Sequence, residues 1–265
     1  MSPAPKPLNP FRVLAAHRNF RLFWIGQTLS LVGTWMQAMA QGWLALELTD
    51  NAFLVGLVGS IGSLPILLFS LHAGAIVDRT DKLRLVTAMQ AVLLGEATLI
   101  FLFTWTGYIT IGWLLALATV GGVAAAFEIP ARQAMMAELV GREDLSAAIA
   151  LNSSGFNLAR ILGPSVAAVV IAQLGLAWCF AVNALSYLAV LAGLAMIRLP
   201  RWTPRAAAGS PWEGVKQGLR YVARTPEVSA LMRLITVFAV FGVSYLTLMP
   251  VVARDLLHLG PSGYG

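Results

Sequence analysis

The sequence predicts an all-α polytopic membrane protein, and its composition, its long apolar runs and the placement of its basic residues each support this fold class. Hydrophobic residues make up 58% of the 265 residues and charged residues only 11%, whereas an average soluble domain is about 25% charged. Seven apolar runs are long enough to cross a bilayer, which takes about 20 residues in a helix. Most of the 18 Lys and Arg residues lie at the N-terminus or in every second connection between these runs.

This alternation of positive charge orients the chain. The basic connections are those at residues 79–84 and around Arg142, while the turns near Asp50, Gly107 and Gly175 hold neither Lys nor Arg. By the positive-inside rule the basic connections are cytoplasmic, so we expect a cytoplasmic N-terminus. The net charge of +6 follows from these topological residues, and we predict no binding of nucleic acid.

The apolar runs divide the chain into four parts. A cytoplasmic N-terminus covers residues 1–19, a bundle of six helices covers 20–197, a cytoplasmic linker covers 198–229, and a seventh helix with the start of a second bundle covers 230–265. All the runs are expected to be helical, because every backbone N–H and C=O must be paired inside hydrocarbon. The helices are expected at 20–46, 53–76, 84–106, 111–136, 147–173, 176–197 and 230–252.

Two features at the end of the chain extend this division. Residues 212–221 of the linker place apolar residues at helical spacing with basic ones between them. A helix lying on the membrane surface and a solvated linker are both open interpretations. Because the sequence stops after the seventh helix, we interpret it as truncated and expect a missing second half of six helices.

A row of polar side chains follows the first predicted helix. Polar groups without partners are costly in hydrocarbon, so this face must turn either to neighbouring helices or to a water-filled path. We favour the path and predict that the row lines a substrate cavity, with interhelical hydrogen bonding as the alternative. Its members recur at intervals of three and four residues, which gives them one helical face: Gln27, Ser30, Thr34, Gln37 and Gln41.

The fifth predicted helix repeats this pattern. Ser153, Asn157 and Arg160 share a face, and Arg160 lies near the middle of the membrane. An arginine at the centre of a span costs about 2.5 to 3.5 kcal/mol on insertion scales, so it requires compensation. We predict that the three residues belong to the substrate cavity and that Arg160 binds substrate or couples to the proton carrier. The alternative is a structural ion pair with Glu96 or Glu128.

These two carboxyl groups, Glu96 and Glu128, are candidates for proton coupling. Glu96 lies in the middle of the third predicted helix and Glu128 near the cytoplasmic end of the fourth. A carboxyl that takes up and releases a proton inside the membrane can carry it between the two sides. For Glu96, a protonated side chain bonded to a neighbouring helix is an equally open alternative. Arg132 follows Glu128 by four residues, which brings an ion pair between them within reach.

The connection between the second and third helices resembles a signature of the major facilitator superfamily. In that signature a Gly is followed four residues later by Asp and a basic residue, and then by further basic residues. Asp81 stands where the signature usually has a second Gly. The resemblance implies a charge latch that gates transport, formed by this connection with nearby helices: Gly74, Asp78, Arg79, Lys82, Arg84 and Arg132.

Two further segments are similar to the branch of this superfamily that contains the enterobactin exporter and related bacterial efflux proteins. They are residues 127–133, which read FEIPARQ, and residues 157–164, which read NLARILGP. The resemblance implies an N-terminal bundle of six helices, built as a 3+3 inverted repeat, followed by a linker and the first helix of the C-terminal bundle. It also implies a multi-pass protein of the bacterial inner membrane.

The function implied by the resemblance is secondary active transport. We expect a proton-coupled exporter of small, partly apolar molecules, drug-like or siderophore-like, that works by alternating access between two bundles. An importer of similar fold is the main alternative, and a receptor or scaffold without transport is a more distant one. The expected partners are the substrate, protons, the lipid bilayer and the second half of the chain. With three scattered His residues, one cysteine, Cys179, and no catalytic motif, we predict neither an enzyme nor a metal or cofactor site.

Overall fold

The computed structural model describes residues 10–199, 211–243 and 245–264, and these residues form helices and turns with no strand among them. The first nine residues of the predicted N-terminus, residues 200–210 of the predicted linker and residues 244 and 265 lie outside the described residues. The α-helices are α1 (Pro10–Ala16), α2 (Arg18–Thr49), α3 (Ala52–Asp78), α4 (Lys82–Thr106), α5 (Ile111–Val140), α6 (Leu145–Leu174), α7 (Ala177–Ala195), α8 (Pro211–Arg224), α9 (Pro226–Val237), α10 (Tyr245–Val251) and α11 (Pro261–Tyr264).

Six of these helices, α2 to α7, coincide with the first six predicted spans to within a few residues at each end. The turns predicted near Asp50, Gly107 and Gly175 all lie on the side of the bundle opposite to the N-terminus. Each has a positive φ, of 48°, 77° and 97° respectively. Glycine adopts this conformation without steric cost, and aspartate is one of the few other residues that tolerates it. The chain therefore reverses direction at these points over very few residues.

Polar side chains define where three of the helices begin. Asn51, Asp81 and Thr110 precede α3, α4 and α5, and each side-chain oxygen accepts a hydrogen bond from a backbone N–H two or three residues later. Such N-caps satisfy donors that have no partner within the helix. Asp81 therefore has a local structural role at the position where the superfamily signature usually has glycine.

Five helices of the described chain, α3 to α7, are long and apolar enough to cross a membrane, judged by length and composition. The chain is an all-α polytopic membrane protein. The number is lower than the seven spans predicted, and α2 accounts for part of the difference. This helix has 32 residues and is about 48 Å long at 1.5 Å per residue. Its row of polar side chains lowers its mean hydropathy, and it packs against α3, α5, α6 and α7.

The packing of α2 to α7 has an internal symmetry. The principal pairs are α3 with α5, α2 with α6, α4 with α5, α2 with α7, and α4 with α7. Exchanging α2, α3 and α4 for α5, α6 and α7 converts α3–α5 into α2–α6 and α4–α5 into α2–α7, and it leaves α4–α7 unchanged. Two units of three helices give this pattern, which accords with the 3+3 repeat that the resemblance implies.

Glycines allow the closest approaches within two of these equivalent pairs. In the α3–α5 pair, a Cβ at Gly122 would collide with the backbone carbonyl of Gly62. In the α2–α6 pair, a Cβ at Gly163 would collide with the side chain of Trp35 and come within 3.0 Å of the Val32 carbonyl oxygen. Small residues at such seams let helices pack closely in a membrane, where dispersion forces hold them together.

From α9 onward the described residues of the helix predicted over 230–252 are helical, but not uniformly α-helical. Two π-helical segments interrupt it, at Phe238–Val243 and Val252–Leu256. Gly242 lies in the first of these segments, and glycine is a poor helix former. Pro250 precedes the second and has no N–H to donate to the preceding turn. These residues explain why an apolar run that looks continuous in sequence has an irregular backbone.

The end of the chain packs on the side of the bundle opposite to the N-terminus. Arg254 forms an ion pair with Asp50 in the turn between α2 and α3. The ring of Tyr264 stacks on Trp43 of α2, with ring centroids 6.2 Å apart. On the N-terminal side, His17 bonds to Asp144 with 2.7 Å between Nε2 and Oδ2, which ties the start of α2 to the turn before α6.

Candidate functional site

A carboxyl group lies in the interior of the bundle, surrounded by side-chain amides from two other helices. The Nε2 of Gln37 donates to both carboxyl oxygens of Glu96, at 3.0 Å to Oε1 and 2.9 Å to Oε2. Gln41, one turn further along α2, donates its Nε2 to Oε1 of Glu96 at 3.3 Å. The Nδ2 of Asn183 on α7 donates to Oε1 of Gln37 at 2.7 Å. We call these four residues the interior amide network.

The interior amide network joins α2, α4 and α7 at a place that solvent does not reach. Glu96 is 4% exposed, Gln37 is 8% exposed and Asn183 is fully buried, while Gln41 is half-buried. No cation pairs with Glu96 among the residues that the structure describes. The carboxyl group is therefore held by neutral amide donors alone, which stabilise a negative charge by hydrogen bonding without neutralising it.

Small residues let the helices approach closely enough for this network to form. A Cβ at Gly33 would collide with Oδ1 of Asn183 and come within 3.1 Å of its Cα. A Cβ at Gly121 of α5 would lie 3.4 Å from the carboxyl group of Glu96. The Oγ of Ser186 lies 2.7 Å from the backbone carbonyl oxygen of Asn183 and 3.1 Å from its Oδ1, so its single hydrogen is shared between these two acceptors. The close approaches thus bring α2 to α7 and α5 to α4, and the side-chain bonds join α2, α4 and α7.

The polar row predicted on α2 is divided by the structure between the interior and an open surface. Gln27, Ser30 and Gln37 are buried, whereas Thr34 lies at an exposed position. The Oγ1 of Thr34 donates to the Ser30 carbonyl at 2.9 Å and lies 3.3 Å from the hydroxyl of the buried Tyr187. Within the described residues, Oε1 of Gln27 has no hydrogen-bond partner. Most of this row therefore faces other helices of the bundle.

The polar residues predicted on α6 lie on an exposed face. Ser153, Asn157 and Arg160 are all exposed, and Nδ2 of Asn157 donates to the Ser153 carbonyl at 2.9 Å. Arg160 forms an ion pair with neither Glu96 nor Glu128, and no other acidic partner for it is present in the described part of the chain. The structure thus brings the α6 residues together but keeps them apart from both buried carboxyl groups.

Helical geometry separates this polar face of α6 from a second exposed face of the same helix. The second face is apolar and includes Leu158, Ile161 and Val169, which are 52%, 67% and 62% exposed. At 100° per residue, Leu158 and Val169 lie roughly 160 to 180° from Arg160 around the helix axis. An apolar face suits contact with lipid, and the polar face requires a wet or polar environment. The two faces are therefore fitted to different surroundings.

Aromatic residues line the seam between α2 and α6 beside the polar face. The rings of Trp35 and Phe156 meet edge to face with centroids 5.7 Å apart. Further along the seam, Nε1 of Trp24 donates to the Leu151 carbonyl at 3.2 Å. Phe156 is 40% exposed, so an apolar ring is available on the same helix that carries Asn157. The surface combines a cation, an amide and an aromatic ring.

The second buried carboxyl, Glu128, has a cationic partner. Oε1 of Glu128 accepts hydrogen bonds from Nε of Arg132 at 2.9 Å and from Nε2 of Gln90 at 3.1 Å. All three residues are less than 10% exposed. The ion pair expected from the spacing of Glu128 and Arg132 is present. Oε1 of Gln90 has no hydrogen-bond partner within the described residues.

The predicted charge latch is only partly assembled in this structure. Lys82 pairs with Glu138 of α5, with 2.8 Å between Nζ and Oε1, and Arg84 lies 3.5 Å from Asp81 within the same turn. Arg132 forms its ion pair with Glu128, its partner within α5. Gly74 is half-buried, and Asp78 and Arg79 are exposed. For Asp78, no ion pair is found within the described residues.

Sequence reasoning missed several residues that complete these clusters. Asn183 and Tyr187 on α7, Gln90 on α4 and Glu138 on α5 were not singled out. The available signal was an isolated amide within an apolar run, as at Ala181-Val-Asn183-Ala184, since such a group needs a partner in hydrocarbon. Within the described part of the chain, no group of three or more His, Cys, Asp or Glu residues is arranged to hold a metal ion.

Comparison with known families identifies the chain. A family model described as a transmembrane secretion effector matches residues 6–265. The chain belongs to this family of major facilitator superfamily transporters. The superfamily suggested by the connection between α3 and α4 is confirmed, and the family is one of transporters and not of enzymes.

Individual relatives are similar over most of the chain. The staphyloferrin A transporter of Staphylococcus aureus is 29% identical over 239 residues, which are 89% of this chain and 59% of the relative. Macrolide efflux protein A of Streptococcus pyogenes is 21% identical over 244 residues, 91% of this chain and 60% of the relative. The chain thus spans about 60% of the length of these relatives.

A solved structure shares the fold. The crystal structure of a bacterial homologue of the human lysosomal transporter Spinster, in an inward-facing and unoccupied conformation, matches with a TM-score of 0.69. The sequence identity is 14%, and the match covers 98% of this chain and 58% of that one. At this identity the comparison concerns the fold, and it places the arrangement of α2 to α7 among transporter bundles.

Proposed function

We propose that this chain is part of a proton-coupled exporter of small, partly apolar molecules that works by alternating access, with Glu96 as the proton carrier. The observation that carries the proposal is a carboxyl group buried among three helices, with neutral amides as its only donors among the residues that the structure describes. No cation of the described residues compensates the charge of ionised Glu96, and protonation removes that charge. Whether Glu96 binds a proton therefore depends strongly on whether water or protein surrounds it. A site of this kind responds when rearrangement of the helices changes its access to water.

Glu96 is a better candidate for the carrier than Glu128. Arg132 donates to Glu128 at 2.9 Å and offsets its charge, whereas the donors to Glu96 in the described part of the chain are all amides. A paired carboxylate gains little from taking up a proton, because protonation would leave the buried guanidinium unpaired. Gln41 is only half-buried, so it is the member of the network through which water would gain access to Glu96.

The substrate surface that we propose is the polar face of α6 with the adjacent part of α2. Arg160 and Asn157 provide a cation and an amide, and Phe156 with Trp35 provides an aromatic edge. This combination suits a molecule with an apolar body and an anionic or strongly polar group. The relatives named as a staphyloferrin A transporter and a macrolide efflux protein support small organic molecules as the substrate class and export as the direction.

The orientation in the membrane forms part of the same proposal. Basic residues lie at the N-terminus and in the turns before α4 and α6, which supports a cytoplasmic N-terminus in the inner membrane of a bacterium. The ion pair between Lys82 and Glu138 joins the turn before α4 to α5 on that side. We propose that such contacts act as the latch and change as the bundle alternates between its two states.

Glu96→Gln provides the test, because it keeps the shape of the side chain and removes its ability to ionise. The complete gene product is reconstituted in proteoliposomes, and flux of a macrolide and of staphyloferrin A is measured with and without an imposed pH gradient. We expect the acceleration by the gradient to fall by about tenfold or more in Glu96→Gln, while exchange of substrate without a gradient persists.

Glu143→Gln is the matched control, since Glu143 lies exposed in the turn before α6 and is expected to leave the gradient effect intact. Flux through Glu96→Gln that follows the gradient as strongly as in the parent would rule out Glu96 as the carrier. Absence of flux of both substrates in the parent protein would contradict the proposed substrate class.

A further inference from the structure

Asn183 contacts the proposed proton carrier only through another residue. We propose that Asn183 is a positioning residue, which fixes the amide of Gln37 so that its N–H groups face Glu96 and thereby sets the pH at which Glu96 exchanges its proton. The inference rests on the proposed function of Glu96. It assigns to α7 a part in coupling.

The hydrogen bonds run in one direction through the network. An amide has one oxygen that accepts and one NH₂ group that donates. The Nδ2 of Asn183 lies 2.7 Å from Oε1 of Gln37, and the hydroxyl of Ser186, which lies 2.7 Å from the Asn183 carbonyl oxygen, is also 3.1 Å from Oδ1 of Asn183. Since Asn183 donates with its NH₂ group, the oxygen of Gln37 must face α7. The NH₂ group of Gln37 must therefore face Glu96.

This orientation is complementary to the ionised form of Glu96. A carboxylate accepts every hydrogen bond that Gln37 and Gln41 offer. A protonated carboxyl has an O–H that needs an acceptor, and the oxygen of Gln37 is already engaged by Asn183. Without Asn183, the amide of Gln37 is free to rotate by half a turn and accept that O–H. Asn183 therefore acts against protonation of Glu96.

The position of Asn183 excludes a direct role in binding substrate. It is fully buried, and the backbone of α2 closes over it at Gly33. Cys179, also on α7, is directed towards the Ala167 carbonyl of α6. The other charged or titratable groups that the packed helices bring into this interior are Tyr187 on α7 and the Glu128–Arg132 pair on α5.

None of these neighbouring groups bonds to Gln37. Tyr187 bonds to Thr34, and Glu128 accepts from Arg132 and Gln90. α2 contributes amides to the network and no titratable group. The hydroxyl of Tyr187 also interacts with Asn183, so the Gln37→Met background is needed to isolate the route from Asn183 to Glu96 through the amide of Gln37.

The test measures gradient-driven flux as a function of pH in proteoliposomes, with the complete gene product and the macrolide or staphyloferrin A substrate. Asn183→Leu replaces the amide with an apolar group of similar volume. We expect the pH of half-maximal flux to rise by about one unit, a tenfold change in proton concentration, with KM for the substrate unchanged. In the Gln37→Met background, Asn183→Leu is expected to cause no further shift.

Two other variants keep the result interpretable. Asn183→Ser is smaller, fits beside Gly33 and cannot reach Gln37, so it gives the same shift if Asn183→Leu fails to fold. Thr98→Val is the matched control, because Thr98 is a polar residue of α4 that bonds only within its own helix; it is expected to leave the pH profile in place.

An unchanged pH midpoint in both Asn183 variants, with Glu96→Gln still insensitive to the gradient, would overturn the role of Asn183 and leave Glu96 as the carrier. A Glu96→Gln protein that still responds to the gradient would instead overturn the proposed function, and with it this inference.

Discussion

On α2 most of the polar side chains point into the bundle, and Gln37 and Gln41 bond to other helices, whereas on α6 the polar side chains lie on an open face. Gln37 reaches both α4 and α7, while Asn157 bonds only to the carbonyl of Ser153, one turn earlier. Both rows recur at helical spacing and look alike in sequence. The difference teaches that periodicity finds a polar face, and that only the neighbouring helices decide what the face does.

The two rows also predict different consequences of mutation. Mutation of a row that holds helices together should lower the stability of the protein, and transport should fall as a result of that loss of stability. A row on an open face should affect transport with little change in stability, because its removal leaves no buried group without a partner. Measuring both quantities for matched variants therefore tests the comparison directly.

The largest expected effect on stability is at the seam that lets the α2 row meet its partners. In Gly33→Ala the added Cβ would collide with Asn183 and Ser186 of α7. We expect a loss of about 1 to 3 kcal/mol, the usual cost of overpacking, measured as a lower midpoint of thermal unfolding in detergent. The bonds of the interior amide network should lengthen with it.

Gly95→Ala is the matched control, because a Cβ at Gly95 of α4 meets no atom within 4 Å. Both changes place alanine in a helix, so intrinsic helix propensity favours them equally. Equal unfolding midpoints for the two variants would contradict the close contact between α2 and α7.

The next effect separates the two rows themselves. Gln37→Leu removes the donors to Glu96 and leaves Nδ2 of Asn183 without its acceptor, so we expect a loss of about 1 to 3 kcal/mol for groups left buried and unpaired. Asn157→Leu removes only a local bond at an exposed position and should change stability by less than about 0.5 kcal/mol. Thermal unfolding and substrate flux are measured on both proteins. Similar losses of stability in the two variants would break the comparison.

Much of the fold could be predicted because membrane helices are specified locally. The apolar runs, the neutral turns at Asp50, Gly107 and Gly175, and the pairing of Glu128 with Arg132 all depend on residues close in sequence. The seventh predicted helix contains π-helical turns beside Gly242 and Pro250, and hydropathy does not register such backbone effects. Length and hydropathy also fail to identify α2 as a membrane-spanning helix, because polar side chains that are buried against other helices lower its mean hydropathy.

The candidate site was less predictable because its contacts are distant in sequence. Gln37 and Asn183 are 146 residues apart, and nothing within α2 indicates which helix covers its polar face. Glu96 was found as an isolated carboxyl, but its amide donors were assigned to a cavity. The α6 residues are a simpler case. Their polar side chains must avoid lipid, and no neighbouring helix of the described chain covers them, so they lie at an open polar surface.

Arg160 gives the smallest expected change in stability and the sharpest test of the open face. No ion pair in the described chain holds it, so Arg160→Gln should alter the unfolding midpoint by an amount equivalent to less than about 0.5 kcal/mol. A charge-assisted hydrogen bond to an anionic substrate is worth about 1.5 to 3 kcal/mol. Binding of staphyloferrin A should therefore weaken by about tenfold or more, measured as a rise in KM for flux.

Arg142→Gln, in the exposed turn before α6, removes the same charge away from this face and should change neither quantity. A large loss of stability in Arg160→Gln would show that Arg160 is held by a structural partner, as the buried row on α2 is. Unchanged flux and KM in Arg160→Gln would remove it from the substrate surface. Either result would mean that the polar row of α6 acts like that of α2. The distinction between a row that holds helices together and a row proposed to bind substrate would then be weaker.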